Sequence, residues 1–130
     1  MERILVVDDE QPVRDTIALL LRQEGFGVVV AEDGRAAVSA IDGVTFDIAL
    51  IDIVMPGING IEAIAMLRQG MPKLSIIAMS GYASGSGLEE TDMFRTAMDG
   101  GATCCLHKPF TREQLLDAIE FCRMSRSMVA

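Results

Sequence analysis

The chain has 130 residues, 50% of them apolar and 23% charged, with a net charge of −8. That length fits one domain with its own core, and the composition excludes a disordered chain. The eleven Lys and Arg are scattered, which excludes a nucleic-acid surface built on a basic stripe.

Apolar runs such as Ile48 to Ile51 and Ile76 to Met79 are far too short to cross a bilayer. The chain enters its first apolar run directly after Met1-Glu2-Arg3, with no signal sequence, so a soluble cytoplasmic protein without membrane contact is expected. Cys104, Cys105 and Cys122 are odd in number, and none forms a C-x-x-C pair. That arrangement speaks against a disulfide framework or a zinc site and for reduced, partly buried thiols.

In chain order, Ile4-Leu5-Val6-Val7 is a continuous β-branched run that suits a strand buried on both faces; it ends in Asp8-Asp9-Glu10. From Pro12 to Glu24 the residues Val13, Ile17, Leu20 and Leu21 recur at helical spacing, with Pro12 in the first turn and Gly25 as a stop. Val28 to Val30 reads as a second strand, and Arg35 to Asp42 as a short helix. Ile48 to Ile51 is a third strand that runs straight into Asp52, followed by the turn-rich Met55-Pro56-Gly57-Ile58-Asn59-Gly60. Ile61, Ile64, Ala65 and Leu67 mark an amphipathic helix, and Ser75 to Met79 a fourth strand ending at Ser80-Gly81. A Gly/Ser-rich loop, residues 83–87, precedes a helix from Leu88 to Met98. Thr103 to Leu106 is a fifth strand, and a last helix runs from Thr111 to about Met124, with Thr111 and Gln114 in a capping-box pattern. Met66, Met79 and Met98 fall at core-like positions. Five alternations of strand and helix predict an α/β fold, a doubly wound parallel sheet with helices on both faces.

In such a sheet ligands bind beyond the carboxyl ends of the strands. The residues at those ends are Asp8, Asp9 and Glu10, then Asp52, then Ser80-Gly81, then Lys108-Pro109. Two carboxylates roughly 4 Å apart repel by about 4 kcal/mol at an effective dielectric near 20, so the cluster calls for a cation. All-oxygen ligands with room for water favour Mg²⁺. An aspartate in such a site can act as a nucleophile toward a phosphoryl group, whose three oxygens need a metal ion, an ammonium and hydroxyl or N–H donors.

Four motifs, Val6-Val7-Asp8-Asp9-Glu10, Leu50 to Gly60, Ala78-Met79-Ser80-Gly81 and Lys108-Pro109-Phe110, resemble in order and spacing the receiver domain of two-component response regulators. The resemblance spans residues 3 to about 122. It implies a five-stranded sheet of order 2-1-3-4-5, with a receiver domain over residues 1–124 and a short tail over 125–130. It implies Asp52 as phosphoacceptor, Ser80 as switch hydroxyl and Lys108 as the lysine that grips the phosphoryl group, beside a cis Lys108-Pro109 bond. Mg²⁺ would be held by Asp9, Asp52 and the Val54 carbonyl, with Asp8 assisting through water. The implied phosphodonor is a histidine kinase or phosphotransfer protein. The implied output is a downstream protein on the face of helix four, strand five and helix five, or onward relay of phosphate. With no DNA-binding segment after residue 124, a stand-alone regulator with output through a partner or by phosphate relay is expected.

Two departures stand out. Cys105 occupies the place three residues before the lysine where the family usually carries an aromatic switch residue, and the stretch between Ser80 and Lys108 is longer than usual. Val54 and Tyr82 stand where side chains influence access of water to the acyl phosphate, which implies a long-lived phosphorylated form. His107, the sole histidine, reads as a half-exposed spacer. A Mg²⁺-dependent phosphohydrolase with an Asp nucleophile would need a second acid at position 54, where this chain has valine. A flavodoxin-like carrier would need a hydroxyl- and Gly-rich loop where this chain has Asp8-Asp9-Glu10.

Overall fold

A computed structural model of the chain describes residues 2–55, 59–81 and 90–128. Strands and helices alternate as β1 (Arg3–Val7), α1 (Gln11–Gln23), β2 (Gly27–Ala31), α2 (Gly34–Ala40) and β3 (Ile48–Asp52). They continue as α3 (Gly60–Gly70), β4 (Ser75–Ser80), α4 (Glu90–Asp99), β5 (Cys104–His107) and α5 (Arg112–Met128). All strand pairs are parallel, in the order β2-β1-β3-β4-β5. This is the expected doubly wound α/β architecture.

The continuous apolar runs have their reason in this arrangement. Leu5, Val7, Ala49, Ile51, Ile76 and Ala78 point to one face and pack against Ala37 of α2, Ile64 and Leu67 of α3, and Ala97 of α4. Their neighbours Ile4, Val6, Ile48, Leu50, Ile77 and Met79 point to the other, against Ile17 and Leu21 of α1 and Leu115, Ile119 and Cys122 of α5. The central strands have no solvent face, so alternation of polar and apolar residues disappears there. It is β2, at the sheet edge, that leaves Val29 and Val30 more than a third exposed.

Local signals set the helix ends. Gly25, at φ +94°, ends α1 in a backbone region that favours glycine. Asn59 caps α3, its Oδ1 accepting the Glu62 N–H at 2.9 Å. The Thr111 hydroxyl accepts the Gln114 N–H at 3.0 Å while Gln114 Oε1 accepts the Thr111 N–H at 2.8 Å, the reciprocal capping box expected at the start of α5.

Three readings need correction or qualification. Helix α5 continues to Met128, into the stretch expected to be a tail, because Ser125-Arg126-Ser127-Met128 holds neither glycine nor proline to stop it. Met79 is buried as expected, but Met66 and Met98 are exposed. Each lies one residue from a buried position, Leu67 and Ala97, and one residue is about 100° of helix rotation. The turn at Pro56-Gly57-Ile58, Tyr82, the Gly/Ser loop and the expected helix start at Leu88 lie outside the described residues. Among the described residues no helix is long and apolar enough to cross a membrane.

Candidate functional site

Sheet register assembles the site. Val7 pairs with Ile51, so the next residue on each strand is a carboxylate, Asp8 beside Asp52. Asp52 pairs with Met79 and Ser80 with His107, which brings Ser80 and Lys108 to the same edge. Alternation then divides them. Asp8, Asp52 and Lys108 fall in step with Val6, Leu50 and Leu106, on the side of α1 and α5. Ser80 falls in step with Ala78, on the other side.

The contacts follow that division. Lys108 Nζ donates to Asp8 Oδ2 at 2.5 Å and to Asp52 Oδ2 at 3.0 Å, joining residues 100 and 56 positions away. The Ser80 hydroxyl makes a 3.3 Å hydrogen bond to the carbonyl of Gly81, and its own carbonyl accepts the Lys108 N–H at 2.8 Å. The peptide bond between Lys108 and Pro109 is cis.

Both carboxylates are held from behind by local turns. Asp8 Oδ1 accepts the Glu10 N–H at 2.9 Å, and Asp52 Oδ1 accepts the Val54 N–H at 2.9 Å. Gly60 is buried where α3 begins against this second turn: a Cβ there would overlap the Asp52 carbonyl oxygen and the Ile53 Cα. Arg14, which the sequence reading did not single out, donates from Nη1 to the Asp8 carbonyl at 2.8 Å. Its position in the first turn of the helix after β1 was the available signal.

Asp8 and Ser80 have no exposed surface, and Asp52 is 4% exposed. Burial pushes the Asp52 carboxyl above its usual range, against the Val54 N–H and Lys108, which pull it down; Asp8 adds to the rise. For Lys108, burial disfavours the ammonium, but its bonds and charge interactions with Asp8 and Asp52 outweigh that, and its pKa is raised. One ammonium therefore serves two buried carboxylates and leaves Asp52 short of positive charge.

Carboxylate oxygens of Asp8, Asp9 and Glu10 lie within 4.8 Å of one another, Asp8 buried and the other two exposed. This grouping includes Glu10, which the expected ligand set did not, and reaches Asp52 through the shared Lys108. Hard oxygen donors with an open, solvated side fit Mg²⁺ and not a thiolate-seeking metal. Val54 is 41% exposed beside the site. An apolar groove lined by Pro12, Val13, Ile17, Pro109 and Phe110 runs from Glu10 to Lys108. His107 is exposed on β5. Cys105, at the expected place of a switch aromatic, packs with the α3 and α4 side, its thiol 3.9 Å from the Phe94 carbonyl.

Residues 4–120 match the family described as the response regulator receiver domain. The transcriptional regulatory protein TcrA of Mycobacterium tuberculosis is 38% identical over 113 residues, covering 87% of this chain and 42% of TcrA. The transcriptional regulatory protein FixJ of Bradyrhizobium diazoefficiens is 32% identical over 117 residues, 90% of this chain and 54% of FixJ. The chain thus spans about half, or less, of these relatives. The solved response regulator receiver domain protein (CheY-like) from Methanospirillum hungatei superposes with a TM-score of 0.89 at 26% identity, covering 100% of this chain and 99% of that one. A family match over nearly the whole chain, on a sheet of the same order with its acids and lysine at one edge, shows that this protein belongs to the response regulator receiver domains.

Proposed function

We propose that the chain accepts a phosphoryl group on Asp52 from a histidine kinase or phosphotransfer protein, in a Mg²⁺-dependent reaction. One observation carries the reading: a single lysine bridges two carboxylates buried at adjacent strand ends. Such a pair is maintained against desolvation where charge must be concentrated for chemistry.

Asp52 attacks phosphorus, an O–P bond forms, and the bond to the donor's nitrogen breaks. Lys108 turns from the carboxylates to a phosphoryl oxygen, and the Ser80 hydroxyl leaves the Gly81 carbonyl for another. Asp8, Asp9, Asp52 and the Val54 carbonyl would hold Mg²⁺, with Glu10 at the rim. The ion supplies charge neutralisation between the acids and the phosphoryl oxygens. The phosphorylated state then biases the face of α4, β5 and α5 toward a protein partner, or passes the phosphate onward. Three unbridged cysteines suit a reducing cytoplasm. The protein is a signalling domain and not a turnover enzyme.

Incubation with acetyl phosphate and Mg²⁺, followed by intact mass measurement, tests this. A single phosphate adduct is expected, absent in Asp52→Asn and in EDTA. An adduct that persists in Asp52→Asn would place the acceptor elsewhere.

A further inference from the structure

Arg14 stands half-buried near the start of α1, with its guanidinium turned back to the end of β1. The Asp8 N–H donates to the Ala31 carbonyl at 3.2 Å, and β2 ends at that residue. Asp8 has no exposed surface, and a buried backbone carbonyl needs a donor. Arg14 Nη1 supplies it at 2.8 Å, while the Arg14 backbone N–H donates to the Glu10 carbonyl at 2.9 Å. Arg14 therefore holds the residues on both sides of Asp9. Asp9 itself is exposed, and among the described residues no hydrogen bond fixes its carboxylate. Glu10, the N-cap of α1, makes no side-chain cap bond that would steady the turn instead. The guanidinium binds a carbonyl and takes none of the carboxylate oxygens of Asp8, Asp9 and Glu10. We propose that Arg14 is a positioning residue for Mg²⁺: by holding the Asp8 carbonyl it fixes the peptide from which the Asp9 carboxylate reaches the ion. The inference rests on the reading of Mg²⁺-dependent phosphoryl acceptance at Asp52.

Two effects of Arg14 on the ion have opposite signs. Its positive charge repels a divalent cation, so by charge alone its removal would tighten Mg²⁺ binding. Its hydrogen bond acts the other way. Without that bond the Asp8 carbonyl stays unpaired or turns toward another donor, and the peptide that carries Asp9 turns with it. Loss of a group that orients a metal ligand lowers metal affinity by about 10–100-fold. The charge effect is weaker, because the acidic turn is open to solvent at Asp9 and Glu10 and is screened there. Positioning wins, and the direction of the change in affinity separates the two roles.

The test is calorimetric titration of the whole chain with Mg²⁺, wild type against Arg14→Met, together with acetyl phosphate labelling over a Mg²⁺ series. Arg14→Met is expected to bind Mg²⁺ about tenfold more weakly and to need about tenfold more Mg²⁺ for half-maximal labelling. Its labelling rate at saturating Mg²⁺ should stay within about twofold of wild type, since the lost interaction is made to the ion before transfer. A purely structural role would lower the saturating rate with the folded fraction and leave half-saturation where it is. Arg14→Gln, with a shorter uncharged side chain, takes over if Arg14→Met does not fold, and should lose the same affinity. Unchanged or tighter Mg²⁺ binding in the folded variant, beside a wild type that binds Mg²⁺, would overturn this inference and leave the Mg²⁺ reading standing. A wild type that binds no Mg²⁺ would overturn both.

Discussion

Replacing Gly60 by alanine adds one methyl group where α3 touches the strand that carries Asp52. Its φ is not in the left-handed region, so alanine has no conformational penalty there, and the effect is one of space. The new Cβ would overlap the Asp52 carbonyl oxygen and the Ile53 Cα and stand 2.9 Å from the Asp52 carbonyl carbon. All three are backbone atoms, so no rotamer change relieves the contact and either the helix or the strand end must move. Overpacking of this kind costs about 1–3 kcal/mol. The opposing gain from removing a helical glycine is about 0.5–1 kcal/mol in a helix interior, and less at this first position. The steric effect wins, and Gly60→Ala is expected to lose about 1–2 kcal/mol. Two other glycines calibrate the measurement. Gly43 has open space around it and an ordinary φ, so Gly43→Ala should be neutral or gain up to about 1 kcal/mol. Gly25 has open space but φ +94°, so Gly25→Ala should lose about 1–2 kcal/mol through conformation alone. Urea unfolding at constant m-value measures all three, and acetyl phosphate labelling adds a positional readout. Gly60→Ala should label poorly for its stability, and Gly25→Ala should not. If Gly60→Ala proves as stable as Gly43→Ala, the contact between α3 and the Asp52 backbone has been misjudged.

Removing the shared cation should be more costly. Lys108→Met leaves Asp8 and Asp52 buried without their partner, a loss of about 3–5 kcal/mol at neutral pH in EDTA. Because burial already raises the Asp52 carboxyl and loss of Lys108 raises it further, the folded carboxyl binds protons more readily than the unfolded one. The deficit should therefore shrink as pH falls toward the carboxylate range; a deficit that grows with acidity would contradict the account. Thr111→Ala should cost about 1 kcal/mol, and combining it with Gln114→Ala should cost less than the sum of the two, since they serve one reciprocal cap. Burial, reinforced by Cys104, pushes the Cys105 thiol up to about 11. Its alkylation in the folded chain at pH 8 should run at about a thousandth of the full thiolate rate and climb roughly tenfold per pH unit; labelling as fast as an unfolded cysteine would refute this.

Much of the fold was legible because the sheet is buried on both faces. Runs such as Ile48 to Ile51 are too short for helices and too continuous for half-exposed strands. Asp8, Asp52, Ser80 and Lys108 were legible for a related reason: each follows such a run directly, and parallel strands deliver their carboxyl ends to one edge. Methionine placement was less legible. Met66 and Met98 each lie one residue outside the buried stripe, and a flexible apolar side chain is tolerated on either side of that boundary. The end of α5 was less legible because no glycine or proline marks it before Met128. Gly60 could be read only as a turn glycine, since its need for space depends on how α3 meets Ile53.

What no strand-end inventory contains is the pairing within the site. Asp8, Asp52, Ser80 and Lys108 arrive together, yet only three of them share a face, because side chains alternate along each strand and register fixes which step each residue occupies. A slip of one residue between β1 and β3 would put Asp8 and Asp52 on opposite faces and bury one of the two carboxylates without the lysine. Apolar packing prevents that slip: one of the two strands would have to turn over, Leu5 and Val7 of β1 exchanging sides with Ile4 and Val6, or Ala49 and Ile51 of β3 with Ile48 and Leu50, which disrupts both core clusters at once. The core therefore enforces the alignment that two buried carboxylates require to share one ammonium. Stability of the sheet and geometry of the site are one constraint, and for that reason substitutions deep in β1 or β3 should disturb the charge cluster without touching it.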